Sequence, residues 1–154
     1  MEVSFEFDPL KGFETTDENK KVYISCSLVN GEKRYSPTEL LLISMGACTS
    51  DDVLSILKKM KQNVQSYRCY VDGKKKDDPP RVLEYANVTY RLYGDIDPEK
   101  ARRAIHLSLK KYCSVSIMME RGNVRISYSM YINDEMIDQR KSVNEIDEIV
   151  SDSS

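Results

Sequence analysis

The period of the apolar positions changes along the chain, and each change marks an element. VSFEF (residues 3–7) and VYISCSLV (22–29) are rich in β-branched and aromatic residues and predict strands. GFETTDENKK between them reads as turn, and Asn30-Gly31 as a tight turn. Ser36, Pro37 and Glu39 then stand at N-cap, N1 and N3, a capping box with proline at its preferred place. They predict a helix running to about Met60. Its first half is apolar on nearly every side, which predicts burial all round. Its second half is amphipathic, with Val53, Ile56, Leu57 and Met60 on one side. Residues 64–72 (VQSYRCYVD) and 82–93 (VLEYANVTYRLY) predict an antiparallel hairpin. The charged loop GKKKDDPPR separates them, and its prolines oppose regular pairing. Asp97-Pro98-Glu99 opens a second helix, with Ala101, Ala104, Ile105 and Leu109 on one stripe, ending near Tyr112. CSVSIMM then suggests a short helix, and NVRISYSMYI a last strand. From Asn133 onward the sequence is polar and acidic. The expected domain is therefore 1–134, followed by an acidic tail 135–154 that is mobile apart from a marginal helix near Val143–Val150.

This order of elements predicts an α+β fold with antiparallel sheet. One small subunit with so few helices has little with which to cover the apolar helix Leu40–Leu57. The simplest remedy is a second copy, giving a homodimer in which sheets from both subunits wrap two central helices.

The totals narrow the function classes. The chain has 154 residues, 40% hydrophobic and 31% charged, an ordinary globular composition. A net charge of -2 leaves no basic footprint, so nucleic acid is not an expected partner. No stretch approaches the roughly 20 apolar residues of a membrane span, and no membrane partner is expected. The acidic start MEVSFEFDPL is unlike a secretory signal. The expected location is the cytoplasm, where thiols stay reduced.

The candidate chemistry lies in the cysteines Cys26, Cys48, Cys69 and Cys113. No two form a C-x-x-C pair, and their spacing matches no zinc signature, so neither cofactor nor metal is expected. Cys48 lies well inside the first helix, beyond the reach of its dipole. Asp52 is one turn further along the same face, and its carboxylate disfavours a thiolate. Cys113 follows a helix end and precedes a short helix, where free backbone N–H groups are to be found. His106 is the only histidine. Seven residues before Cys113, it falls on the same face of a regular helix, so a Cys–His nucleophile or metal site is imaginable beside the ordinary role of a packed or solvated histidine.

Two segments resemble the OsmC/Ohr family. SPTELLLISMGACTSDDVLSILKKM (36–60) is similar to its proline–acidic–leucine helix leading into Gly-Ala-Cys. LSLKKYCSVSIMM (107–119) is similar to its second cysteine motif, a Cys-x-Val-Ser after a helix. With YGDIDPEKARRAI between them, the resemblance runs from about residue 3 to 133. It implies an intertwined homodimer with antiparallel sheets around long central helices. It also implies thiol-dependent reduction of organic hydroperoxides or hydrogen peroxide, as part of a stress response. Cys48 matches the peroxidatic and Cys113 the resolving cysteine, and a dithiol or thioredoxin-like protein is the implied reductant. Peroxidase members use an arginine from the N-terminal strands, supported by an acidic residue. This chain has no arginine before Arg34, which becomes the candidate, with Glu39 as its acidic partner. Glu39 fits the capping box equally well. Nine helical residues, a rise of about 13.5 Å, separate it from Cys48, so it reaches that thiol only across a dimer interface. The rival reading is a non-catalytic dimeric module that binds a small hydrophobic or thiol-reactive molecule in its interface cleft.

Overall fold

A computed structural model describes residues 1–31 and 33–146. The chain divides into two units, residues 1–41 and 42–154, and the boundary falls inside the first helix.

The first unit carries three short antiparallel strands, β1 (Phe5–Asp8), β2 (Gly12–Thr15) and β3 (Tyr23–Ile24). β2 occupies the start of the segment read as turn, and β3 is shorter than the strand expected over 22–29. The polar run from Thr16 to Lys21 is the true connection. The helix α1 (Pro37–Lys59) begins where the capping box places it. The Glu39 backbone N–H donates to Ser36 Oγ at 3.1 Å, and the Ser36 N–H donates to a Glu39 carboxylate oxygen at 2.7 Å. Such a cap contributes about 1 kcal/mol.

The second unit is built on a four-stranded sheet in the order β4 (Asn63–Lys75), β5 (Leu83–Asp95), β6 (Arg125–Ile132), β7 (Glu135–Ser142). β4 and β5 form the expected antiparallel hairpin. β5 and β6 run parallel, which corrects the all-antiparallel expectation. A parallel neighbour requires a crossover. Here it consists of α2 (Pro98–Leu107), a π-helical turn Ser108–Tyr112 and α3 (Ser114–Arg121).

β7 is the second correction: the segment expected to start a mobile tail is a strand paired antiparallel with β6. Asn133 and Asp134, at φ 48° and 66°, make the two-residue turn between them. β7 is an edge strand, so only one side of its backbone needs a partner, and its charged residues other than the buried Asp138 face water. Val143–Glu145 form one 3₁₀ turn where a marginal helix was expected. The remainder of that expected helix and the mobile tail, residues 147–154, lie outside the described residues.

The core follows from two periods. Every second residue of β5 (Ala86, Val88, Tyr90, Leu92) and of β6 (Ile126, Tyr128, Met130, Ile132) is buried. On α1 the buried set Met45, Thr49, Val53 and Leu57 recurs every four residues. Burying one such leucine contributes about 1.5–3 kcal/mol. Gly46 lets α1 approach β4 closely: a Cβ there would meet Val71 Cγ2 at 2.8 Å and Cys69 Sγ at 3.4 Å. By length and composition α1 meets the measure of a membrane span, but Met45, Val53 and Leu57 lie fully buried in this core. The expectation that its first half is buried all round is not met within one chain. Ile43 is 45% exposed, and Ser44 and Ala47 share that open side.

Candidate functional site

Cys48 and Asp52 stand one turn apart on α1, facing the crossover that joins β5 to β6. The π-helical turn sets what they face. The Cys113 backbone N–H donates to Ser108 O, five residues back, at 2.7 Å, so the chain holds one residue more than an α-turn would. That extra residue rotates the succeeding side chains by about 100° about the helix axis. It separates His106 from Cys113, which a regular helix would place on one face.

Cys113 therefore points to Cys48 and caps α3, as its position between two helices suggests. Its Sγ accepts from the Ser116 N–H at 3.4 Å. The thiol is fully buried, and burial pushes its pKa up; the Ser116 hydrogen bonds pull the other way, and neighbouring Cys48 pushes it further up. The Sγ atoms of Cys48 and Cys113 and a carboxylate oxygen of Asp52 all lie within 4.8 Å of one another. Both cysteines are free thiols.

A buried chain of hydroxyls holds this group from behind. Ser108 Oγ donates to Asp52 Oδ2 at 2.8 Å. Thr49 Oγ1 lies 2.7 Å from Ser108 Oγ and 2.7 Å from the Tyr90 hydroxyl. Burial raises the Asp52 pKa above the usual carboxylate value; the Ser108 hydrogen bond opposes this, and the adjacent Asp51 adds to it.

Of the expected site residues, the structure joins Cys48 and Cys113. Arg34 and Glu39 belong to the first unit. Arg34 donates to Phe13 O at 3.1 Å, pairs with Glu14 at 3.4 Å, and has its guanidinium 4.8 Å from the Tyr23 ring centre. Glu39 is held by Ser36, whose hydrogen bonds lower its pKa. Cys69 lies on β4 and Cys26 beside β2, each half-buried.

His106 faces away from the thiols. Its Nε2 lies 3.0 Å from the Tyr128 hydroxyl, which donates to Asp138 Oδ2 at 2.8 Å. Arg102 clasps Asp138 through Nε at 2.9 Å and Nη2 at 3.0 Å. His106 is 6% exposed and its Nδ1 has no hydrogen-bond partner. The imagined Cys–His pair does not form; Asp52 stands where the histidine was to be. Sequence reasoning noted Asp52 as a neighbour of Cys48, and missed Ser108, Thr49 and Tyr90. The spacing of Asp52 was the available signal. The π-turn that delivers Ser108 has none.

Comparison with known proteins accords with this geometry. The model of the family described as OsmC-like protein matches residues 30–129, which include both cysteine motifs. Protein YhfA of Escherichia coli K12 is 34% identical over 103 residues, 66% of this chain and 77% of that protein. A hypothetical protein of Aquifex aeolicus VF5 superposes with a TM-score of 0.72 at 31% identity, covering 86% of this chain and 96% of the other. The organic hydroperoxide resistance protein OhrB of Bacillus subtilis shares the fold with a TM-score of 0.57 at 18% identity, covering 84% of this chain and 96% of that one.

Proposed function

The chain belongs to the OsmC-like family, and from that premise we propose that it is a thiol-dependent peroxidase acting on organic hydroperoxides or hydrogen peroxide. One observation carries the reading: the sulfurs of Cys48 and Cys113 lie within 4.8 Å of each other. The half-buried Cys48 is the nucleophile, and the fully buried Cys113 is the resolving thiol. The Cys48 thiolate attacks the nearer peroxide oxygen, the O–O bond breaks, and the alkoxide leaves as an alcohol after taking a proton. Cys48 is then a sulfenic acid. Cys113 attacks its sulfur, releasing water and forming the disulfide. A dithiol or a thioredoxin-like protein returns the pair to thiols.

The Asp52 carboxylate opposes the thiolate, so the reaction needs a cation. In this proposal Arg34, with Glu39, supplies it from a second copy of the chain. The open apolar side of α1 at Ile43 and Ala47 supports that assembly. Light scattering should give a mass of two chains at micromolar concentration, and Arg34→Ala should slow Cys48 alkylation at neutral pH about tenfold. A single-chain mass would remove this source of the cation.

Peroxide should consume two thiols per chain in the wild type, and peptide mapping should find the 48–113 linkage. Cys48→Ser should leave both residues unlinked, while Cys113→Ser should stop at a sulfenic acid that a dimedone-type probe captures. Modification confined to Cys26 or Cys69 would sink the reading. The uncompensated carboxylate of Asp52 favours a second reading, a dimeric module that binds a small hydrophobic or thiol-reactive molecule without turnover. It would be upheld by a dimer whose Cys48 ignores peroxide.

A further inference from the structure

The peroxidase chemistry makes no use of the Asp52 carboxylate, yet the fold brings it into the same cluster as the two sulfurs. The three donor atoms lie within 4.8 Å of one another. In a tetrahedral site with metal–sulfur bonds of about 2.3 Å, two sulfurs sit about 3.7 Å apart. A movement of about 1 Å therefore closes the gap. Two of the three donors also have an outer partner that leaves a lone pair free. Ser108 holds Asp52 Oδ2, which leaves Oδ1 open, and the Ser116 N–H supports the charge on Cys113.

We propose that Cys48, Asp52 and Cys113 form a three-donor site for a soft divalent metal of the Zn²⁺ type, with the fourth position open to water or an exogenous ligand. The donor set selects the metal. Two thiolates and one carboxylate suit Zn²⁺, whereas Mg²⁺ and Ca²⁺ require oxygen throughout. Three acidic groups packed this closely cannot all ionise without a counter-charge. They keep their protons or they share a cation. On binding, each thiol loses its proton to solvent and gains a bond to the metal, and no electron moves. The metal-bound and disulfide states exclude each other, because the disulfide uses both sulfurs. The inference rests on the same thiol site as the peroxidase reading, but not on its redox activity.

The test uses the full-length reduced protein, stripped with a chelator and titrated anaerobically with Co²⁺, followed by Zn²⁺. One Co²⁺ per chain should bind, with a sulfur-to-cobalt charge-transfer band and the strong visible bands of a tetrahedral centre, and Zn²⁺ should bleach both. Cys48→Ser and Cys113→Ser should each weaken the band and lower affinity by about tenfold or more. Asp52→Asn still accepts from Ser108, so the fold is retained. It should lower affinity by about tenfold or more while leaving the 48–113 linkage able to form under peroxide. That linkage in metal-free protein reports on the peroxidase reading alone, so the two readings fail separately. The metal site is overturned if excess Co²⁺ gives no charge-transfer band, or if Asp52→Asn binds Co²⁺ as tightly as the wild type.

Discussion

Asp52 and Asp138 lie in the same unit, each accepting a hydroxyl hydrogen bond at 2.8 Å, and their acidities move in opposite directions. Burial pushes both up. For Asp138, two hydrogen bonds from Arg102 and one from Tyr128 outweigh it, and the carboxyl falls below its usual value. Asp52 has Ser108 in opposition and Asp51 beside it, and stays raised. The first carboxylate is matched by a guanidinium and belongs to the architecture. The second has no guanidinium against it and lies within 4.8 Å of two sulfurs instead.

The sharpest way to break this comparison is to remove the guanidinium. Arg102→Ala leaves Asp138, only 5% exposed, without its ion pair. It should cost about 2–3 kcal/mol in urea denaturation, with the slope unchanged. The folded protein should still form the 48–113 linkage. A cost below about 0.5 kcal/mol would mean that this cluster is no more structural than the other.

The hydroxyl chain behind Asp52 should matter less. Thr49→Val takes a partner from both the Tyr90 and Ser108 hydroxyls in a buried setting and should cost about 1–2 kcal/mol. Asp52→Asn should change stability by less than about 1 kcal/mol, because the amide oxygen still accepts from Ser108. It should nevertheless speed Cys48 alkylation at neutral pH by roughly three- to tenfold, since the opposing charge is gone. A large stability loss with unchanged alkylation would reverse the roles assigned to the two carboxylates.

The smallest effect is with pH. Burial lowers the His106 pKa from its ordinary value of 6.5, with Asp138 acting against that and Arg102 adding to it. The folded state then binds fewer protons than the unfolded one. Its contribution is complete above about 6.5 and declines as pH falls from there through the folded value. The lowered Asp138 has the same sign, but only below about 3.8. Asp52, raised, has the opposite sign: its contribution is present below about 3.8 and lost as pH rises through its folded value. Melting temperature should therefore fall between about pH 7.5 and 5.5, and His106→Asn should flatten that change. An equal slope in the variant would assign the titration elsewhere.

Elements with strong local signals were legible from the chain. The capping box at Ser36–Glu39 starts α1 through contacts three residues apart, and Asp97 starts α2 by accepting from the Glu99 N–H two residues on. β5 and β6 show their buried face by alternation. β7 did not, because EMIDQRKS buries chiefly Asp138, a charged residue made tolerable by Arg102 from a different element. β2 was hidden because a short strand with few apolar residues resembles a turn.

Sequence by itself determined the two cysteine motifs, the helix that carries Cys48 and the cap position of Cys113, since these depend on neighbours within a few residues. Only the tertiary structure decided that Asp52 completes the thiol group and that His106 leaves it. The π-helical turn rotates Cys113 toward α1 and His106 toward Tyr128, and five-residue hydrogen bonding leaves no period in the residues that adopt it. Which way those side chains face is settled by the packing of the crossover against α1 and the sheet, across separations of more than fifty residues.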